Sequence, residues 1–149
     1  MEKKFVIDTN SLIEYFYSVF NVKNRLSKKT YNIFKAAYTN GISDIRLSIP
    51  SIVFIEIFDK WCKNDEERAK IYYEILVPTL ESSNIEIKPI EQEVLENLCK
   101  IEGRLLNHEI HDKLIVASAM MLGWPLITSD SEIKKWAIET NQNFKIINK

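Results

Sequence analysis

The chain has 149 residues, 46% of them hydrophobic and 28% charged. That length suits a single domain with a sizeable buried core, and that composition excludes a disordered chain. A formal net charge of −1 excludes a global field for nucleic acid, so any such contact would need local basic patches.

Residues 4–7 read as a short buried strand. Lys3-Lys4 in front resembles the start of a signal peptide, but Asp8 cuts the apolar run before a hydrophobic region forms. Ser11 and Glu14 have capping-box spacing and predict a helix behind the strand. A polar segment, 21–29, separates it from a helix at 30–38, which Asn40-Gly41 would stop. Residues 45–49 read as a strand, and Pro50-Ser51 opens the next helix. Asn64-Asp65-Glu66-Glu67 begins an amphipathic helix that Pro78 would end or kink. Ile85-Glu86-Ile87 alternates as a strand does. Helices are predicted at 91–106 and 111–122, and Gly123-Trp124-Pro125 turns the chain into a strand at Leu126-Ile127. Ser129 and Glu132 have capping-box spacing for a last helix, and 144–147 closes as a strand.

Strands alternating with helices predict an α/β fold, with a mostly parallel sheet covered on both faces and one domain over residues 1–149. The longest apolar stretch, 114–127, contains Gly123 and Pro125 and is too short for a bilayer. Cys62 and Cys99 lack paired-ligand spacing and read as free thiols. The expectation is a cytoplasmic protein with no membrane association.

Four acidic residues interrupt this hydrophobic pattern. Asp8 ends Phe5-Val6-Ile7, and Glu56 lies inside Ile52-Val53-Phe54-Ile55-Glu56-Ile57-Phe58. Asp112 precedes Leu114-Ile115-Val116-Ala117, and Asp130 follows Leu126-Ile127-Thr128. Each has a bland reading as a helix cap, a helix-dipole partner or an outward-facing charge. Yet Asp8 and Asp130 both fall just past predicted strand ends, where α/β sheets bind ligands, and Glu56 and Asp112 lie on helices that could lean over that rim. Two carboxylates about 5 Å apart repel by roughly 3 kcal/mol at an effective dielectric near 20, so a cluster of four would take up protons or a cation.

The segments Val6-Ile7-Asp8-Thr9-Asn10-Ser11-Leu12-Ile13, Ile49-Pro50-Ser51-Ile52-Val53-Phe54-Ile55-Glu56-Ile57, His111-Asp112-Lys113-Leu114-Ile115-Val116-Ala117-Ser118-Ala119 and Gly123-Trp124-Pro125-Leu126-Ile127-Thr128-Ser129-Asp130 stand in this order. Together they resemble the PIN domain family of metal-dependent ribonucleases. That resemblance implies a three-layer α/β/α fold with a central sheet of four to five strands. It also implies a catalytic quartet of Asp8, Glu56, Asp112 and Asp130. Asp8, Asp112 and Asp130 would ligate Mg²⁺ or Mn²⁺, Asn10 would help hold the Asp8 loop, and Thr128 would hydrogen-bond within the site. The resemblance is nearest to VapC toxins of type II toxin–antitoxin modules. It therefore implies an RNA substrate (tRNA, rRNA or mRNA) and a small antitoxin that blocks the pocket and grips the first helices. A housekeeping RNA-processing nuclease and a non-catalytic RNA- or protein-binding module are the alternatives. A phosphatase of the haloacid-dehalogenase kind would need Asp at the position of Asn10.

Other features remain open at this level. His108 and His111 lack the spacing of zinc ligands, which usually sit four apart on a helix; a satisfied surface or capping histidine is the favoured reading, and His111 could instead touch substrate or support the acids. Lys3-Lys4, the group Lys23, Arg25, Lys28 and Lys29, and Lys134-Lys135 could line a phosphate track. Tyr31 and Phe34 beside the second group could stack on bases or equally bury against a partner. Tyr15, Phe16, Tyr17 and Phe20 exceed what one core face needs, and an exposed remainder would suit a homodimer or a bound partner.

Overall fold

The apolar run ahead of Asp8 forms β1 (Lys3–Ile7), whose last three residues are buried. The computed structural model describes residues 1–39, 41–101, 105 and 108–149. Among them the sheet has five strands, in the order β3-β2-β1-β4-β5. β2 (Ile45–Pro50) and β3 (Ile85–Lys88) extend it on one side of β1, while β4 (Leu126–Ile127) and β5 (Ile146–Ile147) extend it on the other. Every pair is parallel, and Val6 stands opposite Ser48 on one side and Leu126 on the other. The chain therefore builds outward from β1 in one direction and then crosses over to build in the other. Strand order reverses between β1 and β4. At such a reversal the connections diverge and leave a crevice beyond the carboxyl ends of the strands.

Helices cover the sheet: α1 (Thr9–Tyr15), α2 (Tyr17–Phe20), α3 (Lys28–Tyr38), α4 (Ser51–Lys60), α5 (Asp65–Ile71), α6 (Val77–Glu81), α7 (Gln92–Cys99), α8 (Ile110–Leu122) and α9 (Ser131–Glu139). α4 and α8 are rich in apolar residues, and α8 packs against α4, α7, β1 and β2. The described residues contain no helix long and apolar enough to cross a membrane.

Several elements differ from the expectations. The N-cap of α1 is Asp8, not Ser11, and that of α9 is Asp130, not Ser129. At these short strand-to-helix junctions the aspartate is the residue still in extended backbone whose side chain can reach the free N–H groups of the first turn. α3 ends at Tyr38 on Thr39, before Gly41; Asn40 lies outside the described residues. The helix predicted at 91–106 stops at Cys99, with Lys100 as its cap, and residues 102–104 and 106–107 lie outside the described ones. Pro78 does not end its helix. A π-helical turn, Tyr72–Leu76, precedes it, and helix continues to Glu81. A wider turn loosens the ring–carbonyl crowding that proline imposes on regular α-helix.

The surplus aromatics of the first helices are largely absorbed inside. Tyr15 stacks on Phe34 at 4.9 Å and on Tyr38 at 5.3 Å, and Phe16 meets Tyr38 edge-on at 5.1 Å. Phe34 is fully buried and Tyr31 leans on Tyr15, so neither is a free platform for bases. Phe34→Ala should therefore cost about 3–5 kcal/mol in urea unfolding, as deleting a buried ring does. Ile55→Ala, at a residue 55% exposed, should stay within about 0.5 kcal/mol.

Candidate active site

Beyond the ends of β1 and β4 lies a cleft of about 480 Å³ whose lining includes Asp8, Asn10, Glu56 and Asp112. A smaller recess of about 190 Å³ continues from it past Asp8, Asn10 and Asp112 to Thr128 and Asp130. The four predicted acids thus share one surface, with Asp8 and Asp112 common to both parts.

Asp8 is held tightly. Its Oδ1 accepts the Ser11 N–H at 2.8 Å, and the Thr128 hydroxyl also bonds to its carboxyl. Ser11 Oγ reaches the Ile127 carbonyl at 3.4 Å, joining the start of α1 to the end of β4. Burial pushes the Asp8 carboxyl above its ordinary value, and these hydrogen bonds and the Lys149 charge only partly offset that. The contacts that hold the Asp8 loop come from Ser11 and Thr128. Asn10, expected to help hold that loop, is an exposed residue in the lining of both parts of the cleft.

Asp130 also caps a helix: its Oδ1 accepts the Glu132 and Ile133 N–H groups at 2.9 and 3.1 Å. Its own N–H donates to Thr128 Oγ1 at 3.2 Å. Thr128 thereby links Asp8 to Asp130. Asp112 stands in the first turn of α8, half-buried. Desolvation raises its carboxyl first of all; His111 and His108 pull it down, and Glu56 and Asp130 push it up. Asp112 therefore feels acids on both sides.

The sequence left several participants unassigned. His108 Nε2 lies 2.9 Å from Asp130 Oδ2. His111 contacts Glu56 directly and lies 2.9 Å from Glu109. Both imidazoles are nearly buried between carboxylates, not on the surface as predicted. Glu56, only 9% exposed at its side chain, faces inward and also meets Lys60, one helical turn on, at 3.7 Å. Lys60 is paired with Glu109 as well, and Glu56, Glu109 and His111 bring ligand-capable atoms within 4.8 Å of one another. The signal was present as His108-Glu109-Ile110-His111 directly before Asp112. Only the packing of α8 on α4 shows that this run turns toward Glu56. Glu132 stays mostly exposed at the cleft margin, 3.8 Å from His108.

The basic clusters divide. Lys3 and Lys4 sit at the start of β1, the opposite end of the sheet from the acids, and Lys4 rests over the Trp124 ring. Lys23 and Arg25 border a depression that shares Asn10 and Trp61 with the acidic cleft.

Because Asp8 and Asp112 both sit above the ordinary 3.8, the native protein holds protons that the unfolded chain has released. Metal-free stability therefore falls as pH rises from about 4 through the raised native values. Asparagine caps a helix as well as aspartate does and carries no charge to desolvate. Asp8→Asn and Asp112→Asn should each raise the melting temperature in EDTA at neutral pH by a few degrees, and the gain should vanish near pH 4. Scanning calorimetry across that range checks it; gains that do not change with pH would contradict it.

The family model described as PIN domain matches residues 5–139, a span running from within β1 to the end of α9 and containing all four acids. No curated protein matches the chain. Among solved structures, one of VapBC2 from Rickettsia felis bound to a promoter DNA fragment aligns at TM-score 0.63 and 20% identity, covering 97% of this chain and 98% of that one. DNA-bound VapBC from Salmonella typhimurium aligns at 0.63 and 18%, covering 99% and 98%. VapBC-5 from Mycobacterium tuberculosis, a member of the VapBC family of toxin–antitoxin systems, aligns at 0.56 and 16%, covering 98% of each chain. At these identities the likeness is one of fold. With a model match over most of its length and the five-stranded parallel sheet just described, the chain belongs to the PIN domain family.

Proposed function

We propose that this chain is a metal-dependent endoribonuclease and the toxin of a type II toxin–antitoxin pair. The observation that carries the reading is the convergence of Asp8, Glu56 and Asp112 on one cleft, with Asp130 in its continuation, at the strand-order reversal of a PIN domain. Its structural neighbours include toxin–antitoxin complexes, which favours the toxin assignment over a housekeeping role.

The donor set fits a hard divalent cation. Asp8 and Asp112 offer carboxylate oxygens whose ionised forms are disfavoured in the bare protein, so a cation would relieve them. Mg²⁺ or Mn²⁺ held there would polarise the scissile phosphate and provide a nucleophilic water at neutral pH. Asp8 and Asp112 are the proposed principal ligands, with Asp130 completing the set from the recess. Thr128 keeps Asp8 and Asp130 in register, and His108 fixes the free oxygen of Asp130. Glu56, steadied by His111 and Lys60, would orient the attacking water and take up its proton.

The proposed antitoxin would lie over α2 and the α4–α5 corner. A depression of about 390 Å³ there is lined by Phe20, Trp61 and Ile71 together with Lys63 and Lys70. A partner helix with an apolar stripe and acidic flanks would match it, next to the mouth of the acidic cleft. Self-association into a homodimer belongs to the same reading, and the exposed Tyr72, Tyr73 and Leu80 offer an apolar face for it.

Asp8→Asn should lower cleavage of RNA on the order of 10²-fold or more with the fold intact. EDTA should abolish cleavage, and added Mg²⁺ or Mn²⁺ should restore it. Sequencing RNA ends from cells expressing wild type against Asp8→Asn tests activity and identifies the substrate together. RNA ends identical in the two cultures, or full activity in excess EDTA, would sink the proposal. Growth arrest relieved by the product of a neighbouring small reading frame would separate the toxin from a housekeeping nuclease.

A further inference from the structure

Next to the acidic cleft lies a depression of about 270 Å³ whose lining includes Asn10, Glu14, Lys23, Arg25 and Trp61. Asn10 and Trp61 line the acidic cleft too, so the two hollows adjoin across them. Trp61 caps the end of α4, is half-buried, and packs against Phe20 at 5.5 Å in a T-shaped arrangement. Lys23 and Arg25 are exposed, and neither is paired with a carboxylate among the described residues. Glu14 is 9% exposed; its Oε1 takes the Lys149 ammonium at 2.7 Å, while its Oε2 is buried with no hydrogen-bond partner.

We infer that this depression seats a nucleotide flanking the scissile phosphate of single-stranded RNA, with the base on Trp61 and the backbone phosphate on Lys23 and Arg25. The inference rests on the nuclease reading above and adds the part of the surface that holds the strand. Three physical features support it. A phosphodiester strand is repelled by a cleft of carboxylates, and a chain of net charge −1 offers it no general attraction. Unpaired cations beside the cleft must therefore hold it. In the lining of the depression Glu14 is nearly buried and paired in charge with Lys149, so the exposed Lys23 and Arg25 set the sign of the surface that a phosphate meets. Finally, an indole at the junction of two hollows provides a face on which any base can stack, so retention tolerates sequence.

The test uses the full chain carrying Asp8→Asn, in EDTA, titrated with a short single-stranded oligoribonucleotide. Binding should quench tryptophan fluorescence, and adding Trp61→Phe should remove most of the quench, because Trp124 and Trp136 lie elsewhere in the fold. Adding Lys23→Glu with Arg25→Glu should weaken binding about tenfold or more. It should also lower the salt-dependence slope by roughly 1.4, at about 0.7 for each lost phosphate contact on a single strand. These two side chains are exposed, so the fold tolerates the change. Lys3→Glu, at the far end of the sheet, should leave affinity unchanged. Affinity and slope unaltered by the Lys23 and Arg25 changes would overturn the subsite, as would a poly-glutamate peptide that binds these residues as tightly as RNA does. Since binding is read without cleavage, the two proposals fail separately. RNA held at these residues by a protein that never cuts sinks only the nuclease reading. Cutting with KM unchanged in the Lys23 and Arg25 variants sinks only the subsite.

Discussion

Strand order reverses between β1 and β4, and most of what is distinctive here follows from that reversal. Chain leaving β1 enters α1, chain leaving β4 enters α9, and each helix begins on an aspartate whose carboxylate binds N–H groups of its first turn. Two helix starts with acidic caps are thereby placed at neighbouring strand ends. Thr128 joins Asp8 to Asp130, and Ser11 ties α1 to the Ile127 carbonyl. Cap and candidate ligand are then one group in two roles. The helix start fixes the position of one oxygen, and at Asp130 His108 holds the other.

Gathering acids in this way works against stability, and the surroundings show how the tension is contained. Asp112 and Asp8 are raised by burial. Around them stand cationic or proton-bearing partners: His108 on Asp130, His111 on Glu56, and Lys60 between Glu56 and Glu109. None of these partners reaches both Asp8 and Asp112, so the centre of the cleft keeps its unmet demand for positive charge. The aromatic cluster of α1 and α3 stabilises the first helix from its other side, so the Asp8 junction is held between a rigid sheet and a rigid core.

Much of this was legible in the chain. Hydrophobic periodicity located the strands and most helices, because a strand buried on both faces cannot hide among polar residues. The four acids stood out because each broke that periodicity. Caps were misread at Ser11 and Ser129, since Asp8 and Asp130 offer the same chemistry a few residues earlier or one later. Which residue caps depends on where the strand releases the backbone. Tyr31 and Phe34 looked available to bases because a one-dimensional pattern cannot show that Tyr15 lies over them.

The order of apolar and acidic residues was enough to settle the fold class and to nominate Asp8, Glu56, Asp112 and Asp130, since both rest on local patterning along the chain. It could not show which groups answer those acids. Glu109 and His111 sit more than fifty positions after Glu56 and meet it only because α8 packs on α4. Lys23 and Arg25 come beside the cleft only because Asn10 and Trp61, distant in sequence, form its shared wall. Such pairings arise from packing between elements, and no spacing along a single chain encodes them.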